Sequence, residues 1–518
     1  MSRFKRFAHS LLSGYVLLGV NILFTLASVP LALHYLGKEE FGLWALTTQI
    51  AGYIALMDFG LTSAASRILI DYKDHENPRE YGGIIQTGAL VGLSQALLVL
   101  LVGGGLAFLI GPLLRNIPPR LERDFLWLMI GQCGVMAATF AIRIISHILT
   151  ANQRFDVVNY SGAVSLVVNC AIMWWGFAHG LRVFSMLWGQ AGSVMAVLIL
   201  NWMGCYRLKL FPRRGEWGRP TWVRFSELFT FGRDYFLFAL GSQFVNASQA
   251  VLLTRLIGLD AAAIWSVCTR AYILLVQVIG RIFDFSTSAL AEMMVRSERE
   301  QLLRRFREIA VLSINLAVAA GAVFAVANGP FVQVWTGGKI QWPPVNDLLL
   351  AIWLVIGIAV RVHTGLVGQT KEFRFLRYVY FIEGFAFIAL TVLLHRFGGI
   401  TMMLMISIVC SLCFSFRYGL WRTCKYFHIS WRELALWHRG TLALAVTVAP
   451  VAGMVWWSAR NLPGLPRLLL EVGVVGIWTA CMFLRYGLGA SLRAEACRYA
   501  PPWARPFLTR VGLGKSPA

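Results

Sequence analysis

The chain has 518 residues, of which 58% are hydrophobic and only 14% are charged. A soluble protein would carry about 25% charged residues, so this composition excludes an ordinary soluble domain and predicts a membrane protein. The net charge of +22 could indicate a nucleic-acid partner, but the distribution of the charges, described below, argues against one. The nine cysteines are scattered and form no zinc-binding pattern, so neither a metal nor another cofactor is predicted.

Apolar runs of about 20 residues, each long enough to cross a bilayer, recur from end to end of the chain. They predict an all-α polytopic membrane protein with about fourteen transmembrane helices. The predicted spans lie near residues 10–34, 41–67, 82–112, 125–150, 157–179, 183–205, 228–254, 261–294, 308–332, 346–369, 375–395, 399–420, 441–459 and 465–487. An even number of spans places both termini on the same side of the membrane.

The distribution of Lys and Arg indicates the orientation. Roughly two thirds of the 47 basic residues fall in the N-terminal segment, the C-terminal tail and the loops on the same side. Because cytoplasmic loops carry an excess of Lys and Arg, that side is predicted to be cytoplasmic. The positive charge is thus explained mainly by membrane topology, with contacts to anionic lipid head groups as a further use.

An internal repeat is visible as similar segments in the same order at nearly constant separation, a common feature of transporters. The matched segments are "YLGKEEFGLWAL" with "LIGLDAAAIWSV", "MDFGLTSAA" with "FDFSTSALA", and "AIRIISHILTANQRF" with "AVRVHTGLVGQTKEF". The repeat predicts two parallel six-helix lobes followed by two additional helices. The corresponding ranges are 1–206 for the first lobe, 207–226 for a basic linker, 227–424 for the second lobe, and 425–518 for the last two helices and a basic tail.

Two arginines occupy equivalent places in the repeat, because Arg143 matches Arg361. An arginine within a span costs about 2.5–3.5 kcal/mol on insertion scales and usually faces a polar cavity or a partner. Two arginines at one depth are therefore predicted to face a central cavity, where the planar guanidinium suits phosphate oxygens. A snorkelling or ion-paired structural arginine remains the alternative at each position.

Further charges lie on the second and eighth predicted spans. Arg270 and Arg281 are about three turns apart and share one face of the eighth span. Asp284, one turn beyond Arg281, could pair with it. Asp58 matches Asp284 in the repeat, and these two carboxylates could carry a coupling proton or sodium ion or could balance the arginines. No catalytic residue is predicted.

The segment "YLGKEEFGLWALTTQIAGYIALMDFGLTSAASRIL", residues 35–69, resembles the N-terminal signature of the Wzx-type polysaccharide flippases. These O-antigen and exopolysaccharide transporters belong to the multidrug/oligosaccharidyl-lipid/polysaccharide exporter superfamily. "LTANQRFDVVN", residues 149–159, resembles the short loop after the fourth span of that family. The resemblance extends loosely over the whole chain, and its motifs say nothing about the glycan.

The resemblance implies a two-lobed bundle with a central cavity that alternates between the two sides of a bacterial inner membrane. It implies that the cargo is undecaprenyl-diphosphate-linked oligosaccharide, moved from the cytoplasmic to the outer leaflet for lipopolysaccharide or exopolysaccharide synthesis. A glycan polymerase and other biosynthetic proteins are the implied partners. Related flippases hold the anionic head group with cavity arginines, and this role is extended here to Arg143, Arg270, Arg281 and Arg361.

Three alternatives stay open on sequence alone. A drug/cation antiporter of the same superfamily would need an acidic cavity, which four arginines and two aspartates do not favour. A membrane glycan polymerase or ligase would usually need a sizeable external catalytic loop, and the predicted external loops are short. A lipid-linked peptidoglycan precursor is a different cargo for the same type of flippase.

Overall fold

The structure is a computed structural model, and every regular element in its described residues is a helix. The described residues are 3–58, 69, 78–113, 117–152, 154–213, 215–223, 225–226, 240–241, 243–245, 248–295, 297–369 and 375–488. Within them, eleven helices are long and apolar enough to cross a membrane, or twelve if one bent pair is a single span. The prediction of an all-α polytopic protein is therefore confirmed, whereas the total of fourteen spans stays a prediction.

The chain folds as two compact units, Met1–Ser266 and Val267–Ala518. The first unit contains α1 (Arg3–Tyr35), α2 (Lys38–Ile54) with a 3₁₀ turn (Ala55–Asp58), α3 (Pro78–Leu98) with a π segment (Val99–Gly103), α4 (Gly104–Leu113), α5 (Pro119–Ala151), α6 (Phe155–Ala178), α7 (Phe184–Arg207), and α8 (Gln249–Leu256). The next helix, α9 (Leu259–Cys268), crosses the boundary between the two units. The seventh predicted span, 228–254, lies largely outside the described residues, as does the part of the second span after Asp58.

The second unit contains the longest helix, α11, and the two helices predicted after the repeat. Its elements are α9 (Leu259–Cys268, shared with the first unit), α10 (Arg270–Val295), α11 (Arg299–Trp335), α12 (Val345–Gln369), α13 (Leu376–Leu394) with a 3₁₀ turn (His395–Phe397), α14 (Gly399–Ser411) with a π segment (Leu412–Phe416), α15 (Arg417–Phe427), α16 (Trp431–Trp437), α17 (Arg439–Ala459), and α18 (Gly464–Met482) with a π segment (Phe483–Gly487). Helices α10, α11 and α12 pack on one another and form much of its apolar core.

The N-terminal signature motif fixes the start of α2. The side chain of Glu40 accepts a hydrogen bond from the Gly37 amide at 3.2 Å, which satisfies an amide that the helix leaves unpaired. Glu40 also pairs with Arg182, and Glu39 pairs with Arg120. A Cβ on Gly42 would lie 2.2 Å from the carbonyl oxygen of Leu259, so only glycine allows this close approach. The motif therefore has a structural role in the first unit.

The "LTANQRFDVVN" segment makes a tight connection between α5 and α6. Asn152 donates to the carbonyl of Ile148 at 2.8 Å and thereby caps the end of α5. Arg154 makes a bidentate contact with Asp156, at 3.0 and 2.8 Å, and this contact raises the pKa of the Arg154 guanidinium. Asn159 donates to the hydroxyl of Ser13 at 3.0 Å and ties α6 to α1. Asn152, Arg154 and Asp156 thus have local partners, and Asn159 links the segment to another helix.

Candidate functional site

Arg143 lies on α5 and is held on three sides within the first unit. Its Nη1 is 2.8 Å from a carboxylate oxygen of Asp58. Its Nη2 donates to Oε1 of Gln95 at 3.1 Å. The guanidinium carbon lies 4.4 Å from the centre of the Phe140 ring, in cation–π contact. The Arg143 side chain is 19% exposed, and most of its surface is already committed to these partners.

Gln95, on α3, connects this arginine to the 3₁₀ turn that follows α2. Its Nε2 donates to the carbonyl oxygen of Asp58 at 2.8 Å and to that of Met57 at 3.4 Å. Both carbonyls belong to the 3₁₀ turn Ala55–Asp58, so Gln95 ties this turn to α3. The residues Arg143, Asp58 and Gln95 form what we call the brace.

Close packing of α3 on α5 brings the brace together. A Cβ on Gly92 would lie 2.6 Å from the carbonyl oxygen of Phe140, so the two helix backbones nearly touch there. Gln95 follows Gly92 by one turn and therefore points at the same face of α5. Because α3 and α5 run antiparallel here, with Gly88 facing Ile144, Gln95 and Arg143 lie on opposite sides of this close contact, and their long side chains bridge it at 3.1 Å.

Arg361 lies on α12 and forms the corresponding ion pair of the second unit. Its Nη2 contacts both carboxylate oxygens of Asp284, on α10, at 2.9 and 2.7 Å. The two side chains are 45% and 39% exposed, about twice the exposure of the first pair. No amide takes part among the described residues, and Nη1 and Nε of Arg361 have no hydrogen-bond partner there.

The crossing of α10 and α12 brings Arg361 to Asp284. A Cβ on Gly280 would lie 2.9 Å from Nε of Arg361 and 3.2 Å from Cδ and Cζ, so the guanidinium rests on bare backbone. Asp284 follows Gly280 by one turn on the same helix face. Four residues beyond Arg361, Gly365 receives the ring of Phe283 in the same way. Each helix thus has a glycine where the other has a bulky side chain.

The two ion pairs join residues that the repeat predicts to be equivalent. In each unit an arginine from the fourth helix of a half meets an aspartate from the second, namely Arg143 with Asp58 and Arg361 with Asp284. The sequence pattern offered Arg281 as the partner of Asp284, but the ion pair in the structure is with Arg361. Charge balance, one of the two roles expected for the aspartates, is the one that these contacts support.

Two more arginines lie along α10. Arg270 is its first residue, and the Nε atom is buried without a hydrogen-bond partner among the described residues. Arg281 is exposed. Neither arginine has a salt bridge within the described part of the chain. Arg270 and Arg281 lie three turns apart on one face of α10. The helix therefore carries two guanidinium groups without a counter-ion among the described residues, and it also carries the Asp284 carboxylate.

Two other buried polar residues of the second unit, His363 and Glu383, have structural partners. Nδ1 of His363 is 2.8 Å from the hydroxyl of Thr423. The Glu383 carboxylate accepts from the Ser411 hydroxyl at 2.9 Å and from the Ser415 amide, inside a π segment, at 3.1 Å. These contacts explain two polar residues within predicted spans for which the sequence pattern suggested no function.

Gln95 and Gly280 escaped sequence reasoning. Gln95 is the single amide in the apolar run "VGLSQALLVL". Its position indicates a hydrogen-bond partner on another helix, because an amide within a membrane span needs one. Gly280 precedes the charged pair Arg281 and Asp284, but nothing in the sequence shows that a guanidinium from another helix lies on it.

An apolar groove of about 790 Å³ runs along α11, α12 and α17 in the second unit. Small residues, aliphatic residues and one tryptophan line it, including Gly321, Ala351, Ile352, Ala449, Gly453 and Trp456. All three helices are long and apolar enough to cross a membrane, so the groove lies between predicted membrane spans.

The fold is similar to solved structures of flippases and transporters. The lipid II flippase MurJ in an inward closed conformation is 11% identical, with a TM-score of 0.61, and the match covers 93% of this chain and 99% of that one. A multidrug resistance MATE family transporter of the MOP superfamily, inward-facing, is 13% identical, with a TM-score of 0.57, over 79% of this chain and 98% of that one. At these identities the likeness shows the fold alone.

A third structure is a MOP superfamily transporter from Pyrococcus furiosus, described as having a binding pocket of reverse polarity. It is 14% identical with a TM-score of 0.53, over 82% of this chain and 97% of that one. The comparison with curated protein sequences found no match. A family model described as "Polysaccharide biosynthesis protein" matches residues 10–290, which is more than half of the chain. The chain is therefore a multi-pass membrane protein that belongs to the polysaccharide biosynthesis protein family and has the fold of the MOP superfamily.

Proposed function

We propose that the protein is a flippase that moves undecaprenyl-diphosphate-linked oligosaccharide from the cytoplasmic to the outer leaflet of a bacterial inner membrane. Both termini then lie in the cytoplasm, the chain performs no catalysis, and a glycan polymerase uses the product outside. Family membership supports the link to polysaccharide synthesis, and the fold supports transport. The class of the cargo rests on the charged residues in the spans.

The observation that carries the proposal is the exposed ion pair Arg361–Asp284, together with the two other arginines along α10. Asp284 contacts only Nη2 of Arg361, so the Nε and Nη1 donors have no partner among the described residues. Arg270 and Arg281 have no salt bridge among those residues. Three guanidinium groups and one carboxylate give this unit a positive, donor-rich surface within predicted spans. A diphosphate is a fitting ligand because each guanidinium can bind two of its oxygens.

Arg143 was expected from the sequence to bind the same head group. Its contacts with Asp58, Gln95 and Phe140 support a structural role, since most of its surface is occupied. We therefore assign head-group binding to Arg270, Arg281 and Arg361, and we assign to Arg143 the support of the second helix.

The apolar groove along α11, α12 and α17 offers a place for the polyprenyl chain. It lies in the same unit as the three head-group arginines, and small and aliphatic residues of predicted spans line it. A lipid-linked cargo needs both an apolar surface for its tail and cations for its diphosphate. A free sugar phosphate would need only the cations.

The drug/cation antiporter is the second candidate that the fold allows. A cation binder needs free carboxylates, whereas Asp58 and Asp284 are each paired with an arginine. We therefore favour an anionic cargo. A lipid-linked peptidoglycan precursor has the same diphosphate and polyprenyl chemistry, so the experiment below must identify the glycan.

The proposal is tested in a bacterial strain from which the gene has been deleted. We expect the wild-type chain to restore surface polysaccharide, and Arg361→Gln to leave the lipid-linked oligosaccharide on the cytoplasmic side at normal protein levels. Arg396→Gln is the matched control, because Arg396 is an exposed arginine in the 3₁₀ turn after α13 and outside the proposed site. Normal export by a well-expressed Arg361→Gln variant would contradict the assignment, and an unchanged surface polysaccharide in the deletion strain would contradict the cargo.

A further inference from the structure

The two ion pairs differ in how much of each arginine they occupy. Asp58 and Gln95 bind different nitrogens of Arg143, and the ring of Phe140 covers its face. Asp284, in contrast, places both of its oxygens on Nη2 of Arg361. The Nε and Nη1 donors of Arg361 therefore remain available beside a carboxylate that covers one corner of the guanidinium.

A carboxylate and a phosphate use the same guanidinium donors. Arginine binds both through short, charge-assisted N–H···O contacts, and one phosphate oxygen can use Nε or Nη1, which Asp284 leaves open. A second phosphate oxygen can then take Nη2 in place of the carboxylate. The exchange keeps an anion on Arg361 throughout, and this avoids the cost of an unpaired charge within a span.

The two ion pairs differ in side-chain exposure, and this difference decides which arginine can exchange its carboxylate for a phosphate. Arg361 and Asp284 are 45% and 39% exposed, so a ligand can reach the contact and Asp284 has space into which it can turn. Arg143 and Asp58 are 19% and 21% exposed, and Gln95 ties the backbone of Asp58 to α3. Asp58 therefore cannot leave Arg143 without loss of the brace.

We propose that Asp284 is a displaceable counter-ion that occupies Arg361 when the site is empty and yields it to the phosphate of the cargo. This inference rests on the proposed function and adds a role to it. Asp284 limits the affinity for the diphosphate, because the ligand must compete with it, and it returns to Arg361 when the head group leaves. Gly280 is a positioning residue, because the guanidinium rests on its bare Cα next to Asp284.

The competition predicts opposite effects for two substitutions in one ion pair. Asp284→Asn removes the competing charge and is expected to tighten diphosphate binding by about tenfold, which corresponds to about 1.4 kcal/mol. Arg361→Gln removes the donor group and is expected to weaken binding by tenfold or more. A purely structural ion pair would respond in the same direction to the loss of either partner.

The test measures the dissociation constant of undecaprenyl diphosphate for the purified full-length protein in lipid nanodiscs, with undecaprenol as the uncharged control. Asp58→Asn is the matched variant from the equivalent position of the first unit. We expect it to lower the thermal midpoint without tightening binding. Asp284→Asn should also slow release, which a competition experiment with unlabelled lipid measures.

Weaker or unchanged binding by Asp284→Asn, with the thermal midpoint of the wild type, would overturn the inference. Tighter binding by Asp58→Asn to the same extent would overturn it as well, because the effect would then be a general gain of positive charge. If Asp284→Asn unfolds, Gly280→Ala provides the second test, since its Cβ displaces the Arg361 guanidinium without changing any charge. Wild-type affinity for undecaprenyl diphosphate in a folded Gly280→Ala protein would then overturn the inference.

The proposed function fails separately, in the export experiment. Failure to restore surface polysaccharide would reject the cargo even if Arg361 and Asp284 compete for diphosphate as described. Conversely, normal export with no opposite effects in the binding assay would reject the exchange and retain the flippase.

Discussion

Gln95→Met is the substitution that most directly examines the brace. Methionine is similar to glutamine in length and volume and keeps the helix propensity, but it removes the amide. Three hydrogen bonds disappear: the donations to the carbonyls of Asp58 and Met57, and the acceptance from Arg143. The contact at 3.4 Å contributes least because it is the longest of the three.

The expected loss of stability follows from these contacts. Hydrogen bonds between membrane helices average about 0.6 kcal/mol, so three give roughly 2 kcal/mol. A buried carbonyl that loses its partner costs about 1–3 kcal/mol, and this agrees with the first value. We therefore expect a loss of about 2 kcal/mol, and for a unit as large as Met1–Ser266 this corresponds to a fall of roughly 4 °C in the thermal midpoint.

The assay is thermal unfolding of the detergent-purified protein at a fixed scan rate, since membrane proteins often unfold irreversibly. Gln132→Met is the matched control. Gln132, on α5, is as buried as Gln95, but its Oε1 has no hydrogen-bond partner among the described residues. The control should therefore lose less stability. A Gln95→Met protein that melts within about a degree of the wild type, or no earlier than Gln132→Met, would refute the brace.

Two further predictions concern the groove and the pH dependence. Ala449→Trp, which fills the apolar groove, should reduce polysaccharide export severalfold. Val446→Trp, on an exposed face of the same helix, is the control and should leave export unchanged. Equal effects of the two substitutions would argue against a polyprenyl chain in the groove. Burial and the charge of Arg307 lower the pKa of His438, at the start of α17, below its ordinary value of 6.5. The unfolded chain then binds more protons than the folded one, so stability should fall as the pH drops below about 6.5. His438→Asn should flatten that part of a thermal-midpoint profile, and an unchanged profile would contradict the assignment.

Most of the membrane-spanning helices were predictable from the sequence because the bilayer sets their length and polarity. The predicted span 157–179 corresponds to α6, Phe155–Ala178, and the predicted span 465–487 begins one residue after α18 does. Helix ends beyond the bilayer were not predictable in this way. Helix α11 begins at Arg299, nine residues before the predicted span 308–332, because polar residues continue the helix past the apolar run.

The candidate site was predictable in part. The repeat matched Arg143 with Arg361 and Asp58 with Asp284, and each arginine is found with the aspartate of its own half. The partner of Asp284 was not predictable from local spacing. A one-turn separation favours Arg281, but the close crossing at Gly280 brings Arg361 from a helix far along the chain to the same carboxylate.

The difference between the two arginines was beyond the sequence as well. Their matched positions suggested one shared role, whereas Gln95 and Phe140 make one of them a structural residue. Tertiary contacts of this kind leave no periodic pattern, because each depends on a single side chain from another helix.

The central claim is that this chain moves a lipid-linked diphosphate across the membrane and holds it through Arg361. The most direct measurement is translocation of fluorescent undecaprenyl-diphosphate-linked oligosaccharide by the purified protein in proteoliposomes, with a membrane-impermeant quencher that reports the leaflet. We expect the wild-type protein to move the lipid, Arg361→Gln to fall to the level of protein-free vesicles, and Arg396→Gln to retain wild-type transport. Equal translocation by the wild-type and Arg361→Gln proteins, or none by a folded wild-type protein under an imposed proton or sodium gradient and membrane potential, would contradict the account.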